Sequence, residues 1–133
     1  MSVIGVGIDA VDVDRFRRTL ARTPRIADRL FTAGERAYAS RRDDPTERLA
    51  ARFAAKEAVM KALGVGIGAF AFNDVEIERA SSGAPSLVLR GTAGALAADR
   101  GVREWKVSLS HTAHIAEAVV IALGEAGFTC TDT

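Results

Sequence analysis

The run from Arg52 to Gly64, Arg-Phe-Ala-Ala-Lys-Glu-Ala-Val-Met-Lys-Ala-Leu-Gly, constrains the fold more than any other part of the chain. It consists of strong helix formers with no internal Gly or Pro. The spacing predicts a helix that starts near Thr46 and is closed by Gly64 as its C-cap. At 3.6 residues per turn, Leu49, Phe53, Met60 and Leu63 form one apolar stripe. Glu57 and Lys61 lie one turn apart on its flank. The small residues Ala50, Ala54, Ala58 and Ala62 let other backbone, or a ligand, come close. Read alone, Glu57 and Lys61 are a plain ion pair. They are also a fitting half of a site that holds a metal and a phosphate.

A chain of 133 residues predicts one domain with a core of its own. A formal net charge of +1 gives no bulk-charge argument for nucleic acid or for a membrane surface. Cys130 is the one cysteine, which excludes a disulfide framework and a cysteine-based zinc site. That usage fits a reducing, cytoplasmic setting. Met1 to Ile8 is apolar, but Asp9, Asp12 and Asp14 interrupt it, so no signal peptide is expected. No stretch approaches the length of a membrane span.

Ser2 to Val13 mixes β-branched residues with glycines and predicts a strand that other backbone approaches closely. Asp9 follows its apolar run, where a buried carboxylate needs a cation, donors or water. By itself it reads as an N-cap or turn residue before it reads as a ligand. Asp14 is the expected N-cap of a helix through Leu20, with Phe16 and Leu20 facing inward. Arg15, Arg18 and Arg22 form a separate stripe, either a solvated face or a dock for an acidic helix or a phosphate. Thr32 with Glu35 is a capping-box pattern for a helix from Ala33 to Arg41. Arg41 to Pro45 reads as a polar loop. The Gly-rich run from Gly64 to Phe70 matches neither the P-loop nor the dinucleotide fingerprint.

Asn73 to Arg79 alternates and pairs as a hairpin with Ser86 to Arg90 across the turn Ser81 to Pro85. Thr92 to Asp99 is an Ala-rich helix ending before Gly101. Trp105 to Thr112 and Ile115 to Leu123 form a second hairpin around Ala113-His114. His114 is expected exposed and inert. His111 ends a strand, where a lone His is either structural or part of a site. Asp9 and Glu57, with waters and phosphate oxygens, would suit Mg²⁺ if the first strand packs beside the long helix.

Three of these stretches, in this order, resemble the signatures of the holo-acyl-carrier-protein synthases. They are Gly7-Ile8-Asp9-Ala10-Val11-Asp12-Val13-Asp14-Arg15, Arg52 to Ala58 continuing through Lys61-Ala62-Leu63-Gly64, and Val107-Ser108-Leu109-Ser110-His111-Thr112 with the strand ending Ala118 to Ala122. Gly83-Ala84-Pro85 matches a Gly-x-Pro turn between the second and third. The likeness runs from about Val3 to Leu123. The segment Arg36 to Arg48 is longer and richer in arginine than in some members.

The resemblance implies an α+β 4'-phosphopantetheinyl transferase fold, with an antiparallel sheet packed around a long central helix. One domain would span 1–123, followed by a flexible tail, 124–133. It implies transfer of 4'-phosphopantetheine from coenzyme A to a serine of apo acyl carrier protein, with release of 3',5'-ADP. Mg²⁺ would be required, and the active sites of a homotrimer would lie between subunits. Carried over by position, Asp9 and Glu57 would be the metal ligands and, with Lys61, the catalytic set. Lys61 would contact the coenzyme A phosphates. Arg52 and His111 would reach the nucleotide's phosphates from the neighbouring subunit, and Gly64 and Pro85 would wall the nucleotide. Arg15, Arg18 and Arg22 would meet the carrier's acidic helix. Two other classes compete. A non-catalytic trimeric binding domain has no need of Asp9, Glu57 and Lys61 together. A one-metal phosphate-ester hydrolase has no need of the arginine helix.

Overall fold

The computed structural model describes residues 1–125. Its elements are β1 (Ser2–Asp12), α1 (Val13–Arg22), α2 (Ile26–Leu30), α3 (Ala33–Ala39), α4 (Thr46–Leu63), β2 (Val75–Arg79), β3 (Pro85–Leu89), α5 (Gly91–Asp99), β4 (Val102–His111) and β5 (Ile115–Gly124), with a 3₁₀ turn at Phe72–Asp74 before β2. β1, β5 and β4, in that order, form an antiparallel three-stranded sheet, and β2 and β3 form a separate hairpin. The architecture is α+β, with α4 as the element on which the sheet, the hairpin and the small helices pack.

α4 is buried on nearly every side, rather than along the one stripe its sequence predicts. Leu49, Met60 and Leu63 are buried as expected, but so are Ala50, Ala51, Ala54, Ala55, Ala58, Val59, Arg52 and Lys56. The reason is layering: β1 and β5 cover one side, and α1, α3 and β2 cover the others. Two apolar clusters result. One joins α4 to Val75, Ile77, Ala118 and Val120, and the other joins it to Val13, Phe16, Leu30 and Phe31. Phe16, Phe53 and Phe72 stack in series, with centroids 5.2 and 5.5 Å apart, along the side of α4 that faces α1.

The small residues do what their size allows. A Cβ on Gly5 or Gly7 would overlap the carbonyl oxygen of Ala62 or Ala58, so only glycine lets β1 lie this close to α4. Gly64 takes the left-handed conformation, φ 71°, and closes the helix. The Arg100 guanidinium donates to the Leu63 carbonyl at the same end.

Several local expectations need correction. Asp9 is neither N-cap nor turn residue. It sits within β1, opposite Ala118. The N-cap of the first helix is Asp12, not Asp14: the Asp12 side chain accepts from Arg15 N, and Asp14 falls in the first turn, where it pairs with Arg17. The Thr32–Glu35 capping box forms, but its helix stops at Ala39 rather than Arg41. Gly124, assigned by sequence to the tail, is the last residue of β5, and Glu125 N donates to Gly101 O. The rest of the expected tail, 126–133, lies outside the described residues. Among the described residues no helix is long and apolar enough to cross a membrane.

Candidate active site

Strand alternation decides which side chains of β1 meet α4. Gly5 and Gly7 face the helix, so Asp9, two residues on, faces it as well. Register then brings Asp9 beside Glu57 and Lys61. Lys61 Nζ donates to Asp9 Oδ1 at 3.1 Å and to Ile8 O at 2.9 Å. The expected Glu57–Lys61 pair is thus replaced by a Lys61–Asp9 pair, and the Glu57 carboxyl stands near the Asp9 charge. Burial first, and then the Asp9 charge, push the Glu57 carboxyl above its ordinary range, with Lys61 opposing. Asp9 is 14% exposed and Lys61 56%, so the acids are half enclosed and the ammonium reaches solvent.

Two neighbouring carboxylates with one lysine leave an excess of negative charge that a cation would relieve. The donors are all oxygen, and no cluster of three or more His, Cys, Asp or Glu exists among the described residues. A pair of carboxylates with room for waters and phosphate oxygens is the donor set Mg²⁺ takes, so these residues fit that ion. Asp9 and Glu57 open onto a cleft of about 420 Å³, whose walls include Arg15, Phe16, Ile26, Phe53 and Ile67. The acid pair lies at a mainly apolar groove beside α1, and Arg15 stands at its rim. Arg18 and Arg22 are exposed on the same helix.

A second cleft, of about 260 Å³, is lined by Tyr38, Arg42, Arg48, Arg52, Arg79, Ser110 and His111, among others. Arg52 and His111 therefore meet in one chain, but in a different cleft from Asp9 and Glu57. Arg52 is 2% exposed, and its Nε has no hydrogen-bond partner. Burial first, and then the Arg79 charge, lower its ordinary proton affinity, while Tyr38 and Glu35 act the other way. His111 Nδ1 lies 3.0 Å from Glu47 Oε1. His114 is exposed, as expected, 3.8 Å from Asp14. Gly64 and Pro85 line neither cleft: Gly64 caps α4, and Pro85 opens β3 opposite Arg79.

Sequence reasoning missed three groups. Arg48 and Arg79 share the ring of Tyr38 with Arg52. Glu47 carries His111. Glu35 and Lys56 form a fully buried ion pair at 2.8 Å. The signal for the last was present. Leu49, Phe53, Met60 and Leu63 are spaced 4, 7 and 3, and Lys56 stands in the gap, on the buried stripe itself.

Residues 5–123 match the model of the 4'-phosphopantetheinyl transferase superfamily. The holo-[acyl-carrier-protein] synthase of Frankia casuarinae is 53% identical over 92% of this chain and 98% of its own length. The crystal structure of that enzyme from Neisseria meningitidis superimposes with a TM-score of 0.83 at 30% identity, covering 91% of this chain and 98% of its own. The Bacillus anthracis enzyme in complex with CoA (3',5'-ADP) superimposes at 0.77 and 30%, covering 94% and 100%.

Proposed function

This chain belongs to the 4'-phosphopantetheinyl transferase superfamily, and from that membership we infer that it moves 4'-phosphopantetheine from coenzyme A to a serine of an apo acyl carrier protein, releasing 3',5'-ADP. The observation that carries the reading is the meeting of Asp9, Glu57 and Lys61 where β1 crosses α4. The serine belongs to the partner, so the chain need supply no nucleophile. It must hold a pyrophosphate, offset its charge and accept a proton.

Asp9 and Glu57 would hold Mg²⁺, which when bound supplies positive charge to the phosphoryl oxygens. Lys61, anchored on Asp9 and the Ile8 carbonyl, adds an ammonium for the coenzyme A phosphates. Glu57 is the best candidate to take the serine proton. Arg52 and His111 serve the nucleotide's phosphates, with Gly64 and Pro85 as further nucleotide contacts. Arg15, Arg18 and Arg22 meet the carrier's acidic helix. The working compartment is the cytoplasm.

The chain works as a homotrimer whose sites lie between copies. Two observations support this. The acid pair and the Arg52–His111 pair line separate clefts, an arrangement in which one copy's Arg52–His111 cleft completes the acid pair of a neighbour. The outer face of the three-stranded sheet also carries an uncovered apolar strip on β1 and β5: Val6 and Ile8 are 56% and 63% exposed and stand beside Ile121 and Val119.

The reaction is tested by incubating the protein with coenzyme A, Mg²⁺ and an apo carrier protein and weighing the carrier. A gain of one phosphopantetheine is expected, and an unchanged mass sinks the reading. Assembly is tested by mixing inactive Asp9→Asn and His111→Ala proteins and letting subunits exchange. Partial recovery is expected; exchange without recovery puts both residues in one subunit's site. Reversing Arg15 and Arg18 to Glu should raise the carrier KM and remove its salt dependence, with the coenzyme A KM unchanged. A carrier KM that stays put would make the stripe an ordinary solvated face.

A further inference from the structure

Tyr38, at the end of α3, has four guanidinium groups around its ring. Cζ of Arg48 lies 4.2 Å from the ring centroid, Arg52 4.5 Å, Arg79 5.3 Å and Arg41 5.4 Å. They come from three places: the loop after α3, two turns of α4, and the end of β2. Among the described residues none of the four is in an ion pair. Like charges gathered this closely repel, and the usual remedy is a carboxylate. Here the remedy is an aromatic face, which attracts a guanidinium through its quadrupole.

The difference matters for what the cluster can bind. A carboxylate would take the N–H groups and compete with any incoming anion. A ring holds the guanidinium plane and leaves the N–H edge free. Arg52 shows this economy: its Nη1 donates to Arg48 O at 3.3 Å, while its buried Nε has no partner. Arg48 is tethered to the same residue twice, by its plane to the ring and by Nη1 to Tyr38 O at 3.0 Å. Tyr38, Arg48, Arg52 and Arg79 all line the His111 cleft.

We propose that Tyr38 is a positioning residue whose ring gathers and orients Arg48, Arg52 and Arg79, so that the N–H groups they do not spend on the backbone carbonyls of Tyr38, Arg48 and Gly83 are available for the phosphates of the coenzyme A nucleotide. This rests on the reading that Arg52 serves that nucleotide. The ring acts through the arginines and touches no substrate.

The test replaces Tyr38 in the full chain by Phe, 4-fluorophenylalanine, 3,4,5-trifluorophenylalanine and Leu. The dissociation constant of 3',5'-ADP is read by calorimetry, together with kcat and both KM values. Fluorine drains the ring face without changing its shape. Tyr38→Phe should bind within about twofold of the native chain, and each added fluorine step should weaken binding at unchanged melting temperature. Tyr38→Leu should raise the constant, and the coenzyme A KM with it, about 30-fold, the scale of a desolvated cation–π contact. Carrier KM and kcat should stay within about twofold. A flat response across the fluorinated series overturns the proposal even if the Leu variant fails to fold. Arg52→Ala separates the two layers. If it leaves 3',5'-ADP binding unchanged, the reading of Arg52 falls, and the Tyr38 proposal with it. If it weakens binding while the fluorines do nothing, only the role of Tyr38 falls.

Discussion

Lys56 and Glu57 are consecutive on α4 and point roughly 100° apart, into two clusters built on opposite plans. The Lys56 cluster is closed. Its ammonium meets Glu35 at 2.8 Å, Phe72 O at 3.1 Å and Val75 O, one acceptor for each of its three donors. Glu35 in turn accepts from Thr32 N at 2.9 Å and Ile77 N at 2.8 Å. Both side chains are fully buried. Burial pulls the Lys56 ammonium below its ordinary value, and the Glu35 charge opposes that pull. The Glu57 cluster is open: two acids, one exposed lysine, a cleft alongside, and a carboxyl whose charge is disfavoured where it stands. A buried charge with every bond made ties α3, α4 and β2 together. A half-enclosed acid pair with charge to spare is left for a ligand to complete.

The sharpest way to break this contrast is Lys56→Met. It leaves Glu35 buried without its partner and should cost about 3–5 kcal/mol of stability, read by urea denaturation. A loss below about 1 kcal/mol would mean that the pair is not the staple its geometry implies. Asp9→Asn tests the other side. It should lower kcat/KM about 10²–10³-fold, the scale of removing one preorganised electrostatic group, without lowering the melting temperature. An active Asp9→Asn protein would rule Asp9 out as a metal ligand.

Gly7→Ala should act on both properties at once. The added methyl meets the Ala58 carbonyl, pushes β1 off α4 and costs about 1–3 kcal/mol, and it draws Asp9 away from Glu57 with a matching fall in activity. Full activity in that variant would show that the site tolerates a displaced strand.

The smallest effect is a pH dependence. The folded Glu57 carboxyl has a raised pKa, so between the unfolded value and the raised one the folded state binds more protons. Stability of metal-free protein should therefore rise as pH falls through that window, and the penalty should be complete above it. Glu57→Gln removes the penalty. In chelator at pH 8 it should be the more stable protein, with the gap closing toward acid pH, and Mg²⁺ should stabilise only the wild type. A gap that widens toward acid would reverse the assignment of cause.

Much of the fold is legible from local signals because those signals are local in origin. Helix propensity and Gly64 set α4, the Thr32–Glu35 spacing sets the start of α3, and alternation at Val75 and Ile77 sets β2. The likeness to known signatures singled out Asp9, Glu57, Lys61, Arg52 and His111. The errors share a cause as well. Asp12 and Asp14 are both aspartates close to the start of an amphipathic helix, and only the position of Arg15 N distinguishes them. The apolar stripe marks one face of α4, and Ala50, Ala54, Ala58 and Ala62 mark a second that backbone approaches, but no local signal shows that Ala51, Ala55, Arg52 and Lys56 are covered as well.

The sequence by itself determined most of the elements and their order, since these depend on neighbours within a few residues along the chain, and its likeness to known signatures proposed the chemistry-bearing side chains. The tertiary structure decided which of those side chains meet. Ile8 and Lys61 are 53 positions apart, and they touch only because Gly5 and Gly7 let β1 press against α4. The same close approach turned Lys61 from Glu57 to Asp9. Packing from three directions made Lys56 a buried strut and Tyr38 the centre of an arginine cluster. Contacts of that kind carry no periodicity along the chain, because they are fixed by how finished elements stack.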